Sequence, residues 1–321
     1  MTRATALLVP LLVLALAGCG GNQNTVAPAG HPERSITHLF WVMLGASCVG
    51  FGVIVSLLFL GWIRRERPAL PGGHGERAAT GVVIGLGVAL PIVLLVSLFI
   101  WSDLFVLNSV AAPTSPTSVT VRVTGHQWWW EVRYDGSSVV TANEIHIPVH
   151  TKVTAIVTTD DVIHSFWIPE LNRKVDMIPG TENRLLLLAD RPGIYRGQCA
   201  EFCGLQHAHM SVEVIAEPKP AFDAWLARNA KPAAHGNGLF TANCSGCHRI
   251  RGTAANADVG PDLTHFASRR MIAALTLPNT PRNLREWLRD PQHVKPGNRM
   301  PDLPLTDTQW TALQRYLESL R

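Results

Sequence analysis

The 321-residue sequence predicts a multi-domain chain: a helical membrane hairpin, then an all-β sandwich, then an all-α domain. Three observations lead there. Two stretches, residues 39–63 and 81–100, hold no charged residue, and about 20 apolar residues suffice for a bilayer-spanning helix. Beyond a Pro/Ser/Thr-rich break at 112–118, apolar residues recur with period two, as in half-buried strands. The last third returns to helical spacing, with caps at its helix starts.

The N-terminus reads as an export signal. Arg3 gives a short positive region, and residues 7–16 an apolar stretch too short to span a bilayer. The run Leu16-Ala17-Gly18-Cys19 resembles the lipobox of bacterial lipoproteins, which implies a signal peptide at 1–18 and a lipid on Cys19. An ordinary signal peptide cut nearby, with Cys19 incidental, is the alternative. The hairpin occupies 37–107. Arg64, Arg65, Arg67 and Arg77 lie in its connection, so the positive-inside rule puts that connection in the cytoplasm and both flanking ends outside. Trp62 and Trp101 stand where interfacial aromatics are expected, and Pro91 is tolerable inside a membrane helix. Cys48, inside the first span, reads as a small packing residue. The net charge of +4 is small for this length and gives no reason to expect nucleic acid as a partner.

Residues 118–217 form the strand-rich domain. Val119, Val121 and Val123 alternate with Thr120, Arg122 and Thr124, and short apolar runs follow at 152–158, 184–189 and 211–215. A Pro/Ala-rich linker at 218–235 includes one short helical segment with Phe222 and Trp225. In 236–321, Thr280-Pro281 opens a helix that Pro291 stops, and Thr306 with Gln309 makes a capping box before the apolar face of Trp310, Leu313, Leu317 and Leu320.

The chemistry concentrates in two cysteine pairs. From Cys199 to Met210 one loop carries two thiols, two imidazoles and a thioether. Soft sulfur with imidazole suits copper cycling between Cu(I) and Cu(II), and two thiolates can bridge two copper ions. A disulfide or a zinc site are the alternatives, but a disulfide explains neither His207 nor Met210, and zinc rarely takes a thioether. The loop Cys-x-Glu-x-Cys-Gly-x-x-His-x-x-Met resembles the binuclear copper (CuA) motif of cytochrome c oxidase subunit II. So do the run D-V-I-H-S-F-W-I-P with His164 and the run G-H-Q-W-W-W at Gly125–Trp130. The likeness covers about 37–217. It implies a cupredoxin-like sandwich whose copper ligands are His164, Cys199, Cys203, His207, Met210 and the carbonyl of Glu201, with the Glu201 side chain reaching a magnesium ion against subunit I. It further implies Trp128 as the aromatic where electrons enter. Many members carry a glutamate in the second span; residues 81–90 here hold no acid, and Glu76 stands just before them.

Cys244-Ser245-Gly246-Cys247-His248 is a C-x-x-C-H sequence whose thiols can bind haem covalently while the histidine reaches the iron. The region 236–321 resembles class I cytochromes c. That resemblance implies one covalent haem c, His248 as proximal and Met300 as distal ligand, and a Pro261 carbonyl orienting His248. Met271 competes with Met300 but lies in a basic stretch that reads as helical, with no proline after it.

Together the resemblances imply an oxidoreductase and translocase subunit. Electrons would pass from a cytochrome c donor through the chain's own haem to copper, then to the haem of subunit I, where oxygen is reduced. Subunits I and III, membrane lipids and the donor are the implied partners, and the place is a bacterial inner membrane with both metal domains outside. A tethered copper-storage lipoprotein is the rival from another class. The copper domain of nitrous oxide reductase would need a preceding propeller, for which this chain has no residues, and a quinol-oxidase subunit would lack the copper ligands.

Overall fold

The structure, a computed structural model, describes residues 21, 23–65 and 74–321. The expected signal peptide, Cys19 and Arg67 lie outside the described residues. The chain divides into two compact units, one of them residues 34–111.

That unit is helical. α1 (His31–Arg64) runs for 34 residues. The second long helix, Arg77–Val110, is built from α2 (His74–Ile84), a π-helical turn at Gly85–Ala89, α3 (Leu90–Trp101) and a second π-helical stretch at Ser102–Leu107. Both are long and apolar enough to cross a membrane. The first π turn falls where Pro91 withholds an N–H and its ring displaces the carbonyl four residues back. Hydroxyls inside the spans are satisfied along the helix: Ser56 Oγ donates to Gly52 O at 2.7 Å and Ser97 Oγ to Val93 O at 2.8 Å. Glu76 lies in α2.

The second unit begins with a sandwich of two five-stranded sheets. One has the order β3 (Val140–Ala142), β2 (Trp129–Tyr134), β1 (Val119–His126), β5 (Val153–Thr159), β8 (Asn183–Leu187). The other has β4 (Glu144–Pro148), β10 (Ser211–Glu217), β9 (Gly193–Cys199), β6 (His164–Trp167), β7 (Val175–Met177). β1 and β5 run parallel, as do β4 and β10; the other neighbours are antiparallel. Alternation drives the fold: Val121 and Val123 go fully inside while Arg122 pairs outside with Asp135. Trp130, Phe166, Ile145, Ile147 and Leu187 fill the interior between the sheets.

The stretch expected as a linker starts with a packed helix, α4 (Lys219–Asn229). Its Phe222 and Trp225 join the sandwich core, and Trp225 stacks on His146 with centroids 3.9 Å apart. Only 230–235 remains plain connection.

Residues 236–321 are mainly helical, as their spacing predicts. Asn237 caps α5 (Gly238–Asn243), Thr280 caps α6 (Pro281–Arg289), and the Thr306–Gln309 box is complete at α7 (Asp307–Ser319). Pro291 stops α6 and opens a separate helical turn, Pro291–Val294, capped by Asp290. Phe240, Ile250, Leu284, Trp310, Leu313 and Leu317 form the core of this region. The basic stretch around Met271 departs from the helical reading. It forms a strand pair, β11 (Met271–Ile272) with β12 (Leu277–Pro278), because Ala273, Ala274 and Leu275 turn the chain through left-handed backbone.

Candidate metal and haem site

Strand pairing gathers the sulfur loop. β6 and β9 lie antiparallel with Phe166 opposite Cys199, so His164 at the start of β6 meets the chain leaving β9. Two backbone bonds draw the loop in: Cys199 N to Met210 O at 3.0 Å and Ala200 N to Ser165 O at 2.9 Å. All six expected copper positions then converge on two sulfurs. Cys199 Sγ lies 3.7 Å from His164 Nδ1 and 3.1 Å from Glu201 O. Cys203 Sγ lies 3.5 Å from His207 Nδ1 and 3.8 Å from Met210 Sδ. His164, Cys199, Cys203 and Met210 are buried, whereas the Glu201 side chain is exposed. Both cysteines are free thiols, and a thioether within their cluster is a donor that fits copper better than zinc. His209 stands apart, its Nδ1 against Gln206 Oε1 at 2.8 Å.

A residue that the sequence reading missed sets the orientation. Asp161 Oδ1 holds His164 Nε2 at 2.9 Å, and its carboxylate also accepts the amides of Val162 and Gln127, each at 2.7 Å. With Nε2–H donated to Asp161, the Nδ1 lone pair faces Cys199. Burial would lower the imidazole pKa, but the bonds to Asp161 and Cys199 prevail and hold it up at about 8. Burial likewise opposes ionisation of Asp161, yet the bonds from His164 and the two amides bring it down to about 2. Between the thiols, the hydrogen bond from Cys203 pulls Cys199 down to about 4 against burial. That neighbouring thiolate, with burial, pushes Cys203 far up. The clue to Asp161 was available: a carboxylate three residues before an expected imidazole ligand.

Gly125, in the G-H-Q-W-W-W run, is required by close approach, since a Cβ there would sit 2.9 Å from His164 Cδ2. Two residues of that run hold the loop from the opposite side. Trp128 Nε1 donates to Cys203 O at 3.0 Å and Gln127 Nε2 to the same oxygen at 2.8 Å. Trp128 is itself buried.

The C-x-x-C-H segment closes one helical turn, with His248 N bonded to Cys244 O at 3.0 Å. His248 Nδ1 donates to Pro261 O at 2.8 Å; a carbonyl only accepts, so the free lone pair is on Nε2. Burial lowers this imidazole's pKa and keeps it neutral. Gly260 leaves room for the ring, since a Cβ would come within 2.8 Å of His248 Cε1. One cavity is lined by Cys244, Cys247, His248, Met271 and Met300. Both candidate methionines therefore reach it. Burial raises the Cys244 thiol to about 11, well above the range where it attacks unaided. Arg269, also buried on this cavity and unremarked in the sequence reading, leaves its Nε without a hydrogen-bond partner. Another nitrogen of the guanidinium donates to Asp262 O, so one buried N–H is left over, and a buried cation with a spare donor suits the carboxylates of a haem. The same cavity is bounded from the sandwich by His126, Gln127, Trp128 and Trp129.

The chain is similar to known proteins. The family described as "Cytochrome C oxidase subunit II, periplasmic domain" matches residues 135–217, and that described as "Cytochrome c" matches 233–321. Cytochrome c oxidase subunit 2 of Alkalihalophilus pseudofirmus is 33% identical over 339 residues, covering 100% of this chain and 98% of that protein. The Bacillus subtilis protein of the same name is 30% identical, covering 98% and 97%. Among solved structures, the periplasmic domain of subunit II of cytochrome oxidase from Bradyrhizobium japonicum is 29% identical, covering 36% of this chain and 96% of its own, with a TM-score of 0.35. With membrane-length helices, a sulfur–imidazole cluster and a C-x-x-C-H cavity on one chain, and two relatives matched over nearly their whole lengths, the protein belongs to the cytochrome c oxidase subunit II family and carries a cytochrome c domain.

Proposed function

We propose that this chain receives electrons from a cytochrome c donor at its own haem c, passes them to a binuclear copper centre, and delivers them to the haem of oxidase subunit I. The observation that carries this reading is the convergence of two thiols, the imidazoles of His164 and His207, a thioether and the Glu201 carbonyl in one cluster. When bound, copper and haem supply reversible one-electron carriage. The chain's residues do the rest.

His164, Cys199, Cys203, His207, Met210 and the Glu201 carbonyl would hold the copper pair. Asp161 orients His164, and the surrounding burial keeps the ligand geometry fixed. Cys244 and Cys247 would carry the haem, and His248 and Met300 would hold its iron. A Met/His pair raises the haem potential. Met300 is favoured over Met271 because it is built into a loop pinned on both sides: its N–H reaches Asn298 Oδ1 at 2.7 Å and its carbonyl accepts from Gln292 at 2.9 Å. The exposed Glu201 carboxylate is free to meet a magnesium ion at the face of subunit I. The two apolar helices anchor both domains on the outer side of a bacterial inner membrane, with subunit III a further neighbour; Cys19 would add a lipid anchor.

Copper and haem quantitation on the purified chain tests this. Two copper ions and one covalent haem per chain are expected, together with co-purification of subunit I. A single labile copper without oxidase subunits would instead favour a storage lipoprotein.

A further inference from the structure

Lys295 is 3% exposed, an extreme for a side chain that is almost never fully buried unless paired. Among the described residues no carboxylate meets it. Its ammonium instead donates to two carbonyls of the sandwich: Trp128 O at 2.7 Å and His209 O at 2.9 Å. These acceptors are not arbitrary. His209 lies between the expected copper ligands His207 and Met210, and the Trp128 indole bonds the carbonyl of Cys203. At its own end, Lys295 stands five residues before Met300, and its backbone is anchored to Pro291 O at 3.0 Å. Neighbouring contacts follow the same line: Gln206 Nε2 donates to Pro296 O at 2.8 Å, and Arg299 lies 4.0 Å from Asp161.

We propose that Lys295 is a positioning residue that clamps the cytochrome domain onto the copper loop, so that the haem cavity is held against Trp128. The assignment rests on the functional reading above only in what the clamp is for; the clamp itself is a statement about this chain's folding. An amino group suits the role because it brings several N–H donors to one point; burial pulls Lys295 down to about 7, and below that pH the charged form donates bonds about twice as strong as neutral ones. Replacing it leaves two buried carbonyls without their donor, a loss that shifts a docking equilibrium by roughly ten- to hundredfold. No proton or bond changes hands: in the reaction served, the haem gives up one electron and the copper pair gains one.

Amide hydrogen exchange on the intact chain gives the first test, because it needs no turnover. In the native chain, residues 204–210 and 293–299 are expected to share one opening equilibrium and lose protection together. Lys295→Met is expected to lower protection in both segments by roughly tenfold or more. In the assembled oxidase it should slow haem-to-copper transfer after rapid reduction, while reduction of the haem by a small reductant and both optical spectra stay native. Lys295→Arg, which keeps a cation with several donors, should recover most of the transfer rate. Independent exchange of the two segments in the native chain would overturn the proposal. So would a Lys295→Met chain with unchanged protection and transfer, or Met and Arg variants that behave alike. Should the Met variant lose its copper or haem spectrum, the native-chain exchange decides. Absence of copper or haem from the native chain would sink the functional reading alone, leaving the exchange result to judge the clamp.

Discussion

Replacing Asp161 with asparagine should weaken copper binding in a way that depends on pH, and the structure fixes the pattern. The carboxylate orients His164 through a 2.9 Å contact to Nε2, and loss of such a partner costs about 10- to 100-fold in metal affinity, or about 1.4–2.7 kcal/mol. The same carboxylate works against copper below neutrality, because with burial opposing it still helps hold His164 at about 8. Copper requires the neutral imidazole, so a proton must leave first. At pH 6, with the imidazole at about 8, that competition weakens binding about 100-fold. In Asp161→Asn burial is unopposed by the carboxylate and the imidazole pKa falls, removing most of the competition. The two effects then nearly cancel at pH 6, while the full loss of about 10- to 100-fold stands at pH 9. Titration calorimetry in buffers of different ionisation enthalpy measures both affinity and protons released. At pH 7 the variant should release about one proton fewer than the native chain. An equal loss at pH 6 and pH 9, or unchanged proton release, would refute the reasoning. The copper-free protein gives an independent check with opposite-signed edges. Asp161, lowered to about 2, contributes stability above its unfolded value that is lost as pH falls toward 2. His164, raised to about 8, contributes stability below about 6.5 that is lost as pH rises through 8. The variant should therefore be less stable by about 2 kcal/mol between roughly pH 4 and 6.5, and less affected at pH 9.

Three further outcomes follow from the same geometry. Met300→Leu should keep the covalent haem but lower its reduction potential in potentiometric titration, while Met271→Leu leaves the potential unchanged; the reverse result would exchange the two roles. Trp225→Ala removes a buried ring stacked on His146 and should destabilise the sandwich by about 3–5 kcal/mol in denaturant unfolding, a cost that a mere linker residue would not carry. Thr306→Ala breaks a complete capping box and should cost about 1 kcal/mol by the same measurement, with haem absorbance retained.

What the sequence revealed depended on whether the partners lie close along the chain. The copper loop was legible because five of its six expected positions fall between Cys199 and Met210, and the sixth sits in its own short run. The caps at Thr280 and Thr306 were legible for the same local reason. α4 was only half visible: its two large apolar residues, Phe222 and Trp225, are too few to show a buried face, and the surface they cover comes from β2 and β4. Met271 was misplaced because a basic run with alanines has helical propensity, whereas pairing with Pro278 turns it into a strand. Lys295 was invisible altogether, since its acceptors are backbone carbonyls 167 and 86 residues away, and a carbonyl has no sequence signature.

Trp128 sits where the sandwich, the copper loop and the cytochrome domain meet. In the family resemblance it is the aromatic at which electrons arrive from outside, which presumes an exposed ring. Here its side of the sandwich bounds the haem cavity, its carbonyl accepts Lys295, and only 9% of the residue remains accessible. A soluble donor that must touch Trp128 would first have to lift the cytochrome domain off, breaking the buried Lys295 contacts. A donor that reduces the haem meets no such barrier. The indole keeps its bond to Cys203 O in either case, so the residue can serve the copper loop unchanged while the partner on its outer side is supplied by the same chain. On the proposed electron route the fused domain would replace a transient encounter with a permanent one, and the salt sensitivity expected of a diffusing donor would move from the Trp128 face to the exposed surface of the cytochrome domain.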